Sequence, residues 1–133
     1  MSVIVLKTLC LLAALFGACI VLFAWIAHAR GYFDTMRVAT AALKLGGTVV
    51  RGSFLILCAW AAWRHPQQAA WFAWGAFFAF VFSGAGDQVL ERGFVGGFKS
   101  LMPTYYVVAS FHALFASIVW LLTRKATVAV VGG

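Results

Sequence analysis

With 133 residues, of which 65% are hydrophobic and only 10% charged, and a mean hydropathy of +1.00, the chain lies outside the composition of water-soluble domains. That excludes a soluble globular enzyme. The net charge of +7 does not indicate a nucleic-acid partner either, because the basic residues form no stripe with interleaved aromatics. Arg30, Arg37, Arg64, Arg92, Arg124 and Lys125 instead fall at the ends of apolar runs, where they meet lipid headgroups.

The first apolar run covers residues 3–28. A helix of about 20 residues crosses a hydrocarbon core of ~30 Å and satisfies its own backbone there, whereas the continuous hydrophobicity argues against a β-barrel. Ala27-His28-Ala29 matches a signal-peptidase pattern. The apolar run exceeds the about 7–15 residues of a signal core, so the first helix is expected to be retained. Cys10, Ala14, Gly17, Val21, Ala24 and His28 form a line of mostly small residues for packing, with Cys19 on the opposite side.

Residues 31–47 offer two readings. Asp34 can cap a short interfacial helix over 34–45, hinged at Gly46-Gly47, or the second span simply begins early. That span is placed near 44–63. Arg64-His65-Pro66-Gln67-Gln68 then forms a tight polar turn into a third span near 69–88, so these helices make an antiparallel hairpin. In the third span Gly75, Ala79, Ser83 and Asp87 recur at i,i+4 spacing as a packing stripe, with Phe77, Phe78, Phe80 and Phe82 as bulk around the remainder. Gly93, Gly96, Gly97 and Pro103 mark the connection over 87–103 as irregular backbone. A fourth span near 103–123 turns His112 inward and Phe111 toward lipid. The fold expected is all-α: one transmembrane domain over 1–133, built as a four-helix bundle with short loops.

Arg51 is the most informative polar residue, because a crossing helix that ends at Trp63 must carry it within the membrane thickness. An isolated arginine at helix centre costs about 2.5–3.5 kcal/mol on insertion scales, so it needs a partner or a wet cavity. Asp87 is the expected counter-charge: across the hairpin the two backbones differ in height by roughly 9 Å, which a snorkelling arginine largely covers. Glu91 lies one turn farther on, and with Asp34, Arg37 and Arg92 the acidic residues gather at one mouth of the bundle. Such a cluster is either an ion-pair network that orients helices or a binding and proton-handling site.

His112, with Tyr105 one heptad away on the same side, is a candidate for a quinone hydrogen bond or a single haem ligation. His28, His65 and His112 lie at different depths, which disfavours a bis-imidazole haem clamp. Cys10, Cys19 and Cys58 read as packing residues with no CxxC or Cys/His cluster, so no metal site is expected. No nucleophile–base motif links Ser83, Ser110, Ser117 and His112, and enzyme chemistry is not expected.

Four short spans resemble the layout of the small multidrug-resistance family and of DoxX-like proteins, and the first of these likenesses implies transport. The membrane-embedded carboxylate that the first family carries in its first helix is absent from residues 3–28. The leading expectation is a non-catalytic subunit or accessory of a larger membrane assembly, with lipid and other membrane subunits or further copies of itself as partners. A homo-oligomeric transporter or channel using Arg51, Asp87 and Glu91, and a quinone- or haem-binding anchor through His112, are the alternatives. The Ala- and Gly-rich composition suggests a bacterial inner membrane.

Overall fold

The computed structural model describes residues 2–132, and side chains throughout except at Ser2, Asp87, Glu91 and residues 126–132. Four helices follow one another: α1 (Ser2–Ala29), α2 (Val38–Arg64), α3 (Pro66–Lys99) and α4 (Pro103–Gly132). Within them Val3–Ala29, Val38–Arg64, Pro66–Gly86 and Pro103–Lys125 are each long and apolar enough to cross a membrane. The helices pack as an all-α bundle in which α2 lies between α1 and α3, α3 packs on α4, and α1 and α4 close the ring least tightly.

The interior is made of small side chains. Cys10, Cys58, Ala61, Ala62, Ala69, Ala73 and Ala116 are buried, with Leu6 and Val119 the largest fully enclosed groups. Lipid tails are as apolar as leucine, so burial of bulk gives no advantage here, and dispersion contacts between closely approaching backbones hold the helices together. Phe16, Phe23, Trp71, Phe82, Phe111 and other large apolar side chains point outward instead. Two glycine crossings set the closest approaches. A Cβ at Gly17 would lie 2.7 Å from the carbonyl oxygen of Gly52, and one at Gly47 would lie 2.0 Å from Cβ of Ser83.

Of the stretch for which an interfacial helix and an early start were both open, the part from Val38 onward is an unbroken part of α2. Asp34 does not cap it. The N-cap is Arg37, in an extended conformation and without a side-chain cap bond, while Asp34 sits in the turns over 30–36 that Gly31 opens with φ 76°. Gly46-Gly47 is no hinge, since unwinding a helix in hydrocarbon frees backbone groups that no water can satisfy. His65 alone separates α2 from α3, and Pro66 opens α3, where its missing N–H costs nothing. The connection expected to be irregular over 87–103 is mostly helical. The backbone departs from helix at Gly93 (φ 77°, ψ 173°), after which the chain folds back so closely that a Cβ at Gly97 would lie 2.6 Å from Cα of Val89. The Ser100 hydroxyl donates to Gln88 Oε1 at 3.2 Å, and the Tyr106 hydroxyl donates to the Phe98 carbonyl, tying this return to its neighbours.

Candidate functional site: a polar centre at mid-membrane

Arg51 is the central residue of the 27-residue α2, thirteen residues from Val38 and thirteen from Arg64. At 1.5 Å per residue this is ~20 Å from either end, midway along the span. Phe80 lies fourteen residues on from Pro66, so the hairpin brings the two level. The guanidinium carbon lies 5.0 Å from the centroid of the Phe80 ring, while Nε is buried with no hydrogen-bond partner among the described residues. An aromatic face carries negative quadrupolar charge and attracts a desolvated cation without needing a carboxylate. The Asp87 and Glu91 side chains, expected as counter-charge and neighbour, lie outside the described residues. Asp34 is exposed in its turn.

Phe80 also organises α4. Its ring stacks on Tyr105 with centroids 5.2 Å apart and planes at 19°, and on His112 at 5.0 Å and 9°. Tyr105 and His112 are two helical turns apart, a rise of ~10.5 Å that accommodates one further ring between theirs. The Tyr105 hydroxyl donates to the Val81 carbonyl at 3.0 Å, and its ring occupies the space that a side chain at Gly84 would fill. His112 is 8% exposed, and its Nδ1 lies 2.9 Å from the Val108 carbonyl. A carbonyl only accepts, so Nδ1 carries a proton and Nε2 is the acceptor of the neutral ring.

The structure therefore brings together three groups singled out from the sequence, Arg51, Tyr105 and His112, through one that the sequence reading had counted only as bulk around the packing stripe of the third span. Phe78 and Phe82 do face outward, but Phe80 faces in. Its position was signalled by Ala76 and Gly84, one turn before and one turn after it, which leave room on that side of α3 for α4.

Two further features flank this centre. An apolar crevice of about 280 Å³ lies between α1 and α4, lined by Leu12, Phe16, Leu55, Phe111, His112 and Phe115, where the ring of helices is least tightly closed. Toward the Arg64 end, the Sγ atoms of Cys10 and Cys58 are 3.5 Å apart, and Cys58 Sγ donates to the Ala69 carbonyl at 3.3 Å. Both thiols are buried, as packing residues should be, but their juxtaposition was not read from the sequence; Cys19 is exposed on the far side of α1. Among the described residues there is no group of three or more His, Cys, Asp or Glu side chains placed to hold a metal ion.

The fold and this centre define a multi-pass α-helical membrane protein. No protein-family model, curated protein or solved structure matches the chain.

Proposed function

We propose that this protein is a non-catalytic subunit or accessory of a larger membrane assembly, in a bacterial inner membrane, recognised by its partner through helix faces within the bilayer. The observation that carries this reading is how little chain lies between the later helices: His65 alone joins α2 to α3, and residues 100–102 join α3 to α4. Recognition surface must then come from the helices, and the polar centre is turned inward. Gly46 supports the same reading: a Cβ placed there meets, among the described residues, no atom of another helix within 4 Å. With Ala42 one turn earlier, it lets a foreign backbone approach α2 closely from the lipid side.

Purification from native membranes in mild detergent, with stoichiometry from native mass spectrometry, tests this. A fixed foreign partner that is lost in a Gly46→Leu variant is the expected result. A pure homo-oligomer would replace this reading with that of a minimal transporter or channel.

The crevice between α1 and α4 favours a second reading, in which His112 accepts a hydrogen bond from a lipid-soluble hydroxyl donor such as a quinol. The same tautomer also leaves Nε2 available to a haem iron. Binding of a short-chain quinol that His112→Leu abolishes supports the first ligand, and a Soret band in the purified protein supports the second.

A further inference from the structure

A second cavity, between α3 and α4, is not used by the polar centre. It has a volume of about 490 Å³ and lies between the beginning of α3 and the last turns of the α4 span, lined by Gln67, Ala70, Trp71, Trp74, Trp120 and Arg124. Ligand sites commonly enclose about 300–1,000 Å³, so its size suits part of a lipid. Its polarity is graded. Gln67 and Arg124 stand at the rim, and Trp74 lies seven residues inside Gln67, ~10 Å deeper along the helix. Tryptophan rings prefer this depth because they present apolar area to acyl chains and an N–H to the headgroup layer.

Arg124 is held at the rim by its contact with Trp120, its guanidinium carbon 4.9 Å from the ring centroid. A guanidinium carries a fork of N–H donors that matches phosphate oxygens. Charge at this end has one sign. The even number of crossings places Lys7, Arg64, Arg124 and Lys125 on this face, whereas Asp34 precedes α2 and Asp87 and Glu91 follow Gly86, at the opposite end. Lys7 lies over the Trp63 ring at 5.4 Å, a second basic group seated on an aromatic at the same level.

We infer that this cavity is a binding site for an anionic glycerophospholipid, with the phosphodiester at Arg124 and Gln67 and the upper acyl chain against Trp71, Trp74 and Trp120. The net positive face selects an anionic headgroup over a zwitterionic one, and the tryptophan floor selects a lipid over free phosphate. This site stands apart from the crevice beside His112 and from the outer face of α2 at Gly46.

The test uses the full chain in mild detergent, with lipid retention read by native mass spectrometry. The probes are phosphatidylglycerol, phosphatidylcholine with the same acyl chains, and water-soluble glycerol phosphate. Phosphatidylglycerol is expected to bind at least about tenfold more tightly than phosphatidylcholine, as several basic groups near the surface imply. Arg124→Gln should remove that preference, Arg124→Lys should retain part of it, and Arg92→Gln at the opposite end should leave it intact. Trp71→Leu, at an exposed position where folding is not at stake, should weaken both phospholipids alike. Equal retention of the two lipids, or an Arg124→Gln protein that behaves like Arg92→Gln, overturns the assignment. So does glycerol phosphate displacing phosphatidylglycerol at comparable concentration, which would mean that the site reads phosphate alone.

Discussion

A guanidinium at the middle of a membrane helix must be neutralised or given a polarisable surface, and the Phe80 ring beside Arg51 provides the second. Phe80→Leu keeps apolar bulk but removes the quadrupole and the stacks on Tyr105 and His112. We expect it to lower stability by about 2 kcal/mol, measured by unfolding in mixed micelles. Arg51→Met should act in the opposite direction. It removes a desolvated cation whose Nε has no partner among the described residues, and replacement of a buried charge by a hydrophobic group of similar shape is neutral or stabilising by about 1–4 kcal/mol. A strongly destabilised Arg51→Met protein would instead support the carboxylate partner expected at Asp87. At the other end of the core, the Sγ atoms of Cys10 and Cys58, 3.5 Å apart, need only close to ~2.05 Å to form a disulfide. Treatment with a membrane-permeant diazene oxidant should therefore remove two hydrogens from the intact mass. The change should disappear in Cys58→Ser and persist in Cys19→Ser. At this scale the sequence located Arg51, Tyr105 and His112, because charge or polarity inside an apolar run is visible without coordinates. The contact of Phe80 with Arg51 and the pairing of the cysteines were not legible, since both depend on which residues of different helices fall at the same height, although Ala76 and Gly84 marked the side of α3 on which Phe80 lies.

Along the elements, neighbouring glycines of α2 have different roles. Gly47 is where α3 crosses, and a Cβ there would fall 2.0 Å from Cβ of Ser83, whereas one at Gly46 meets no other helix among the described residues. Gly47→Leu should therefore destabilise the bundle by about 1–3 kcal/mol through overpacking, and Gly46→Leu should leave unfolding unchanged while altering association. Equal effects of the two substitutions would contradict the crossing. The existence of four spans followed from hydropathy alone, but their limits did not. The start of α2 at Val38 was ambiguous because Lys44 and two glycines interrupt its apolar pattern, and helix continuity there rests on the cost of unwinding in hydrocarbon. In the stretch after Gly86, several glycines suggested irregular backbone, yet only Gly93 adopts a conformation with positive φ.

For the molecule as a whole, four crossings place the α2–α3 connection and the end of the α4 span on one side of the membrane and the 30–37 turn on the other. Cysteines introduced as His65→Cys and Lys125→Cys should react with an impermeant thiol reagent from the same side, and Thr35→Cys only from the opposite side. Labelling of Thr35→Cys together with the other two would break the four-span topology. The same arrangement gathers Lys7, Arg64, Arg124 and Lys125 on one face, away from every acidic residue in the chain.

The amino-acid sequence by itself determined the class, the number of crossings and the depth scale of the polar residues. Hydrocarbon admits few backbone solutions, and the length of each apolar run selects the helix among them. Only the tertiary structure decided that an aromatic ring lies against Arg51, that Phe80 is that ring, and that two cysteines forty-eight positions apart meet. Those outcomes depend on helix rotation and crossing height. Both are fixed by where small side chains allow backbones to touch, a property of pairs of helices that no single helix carries.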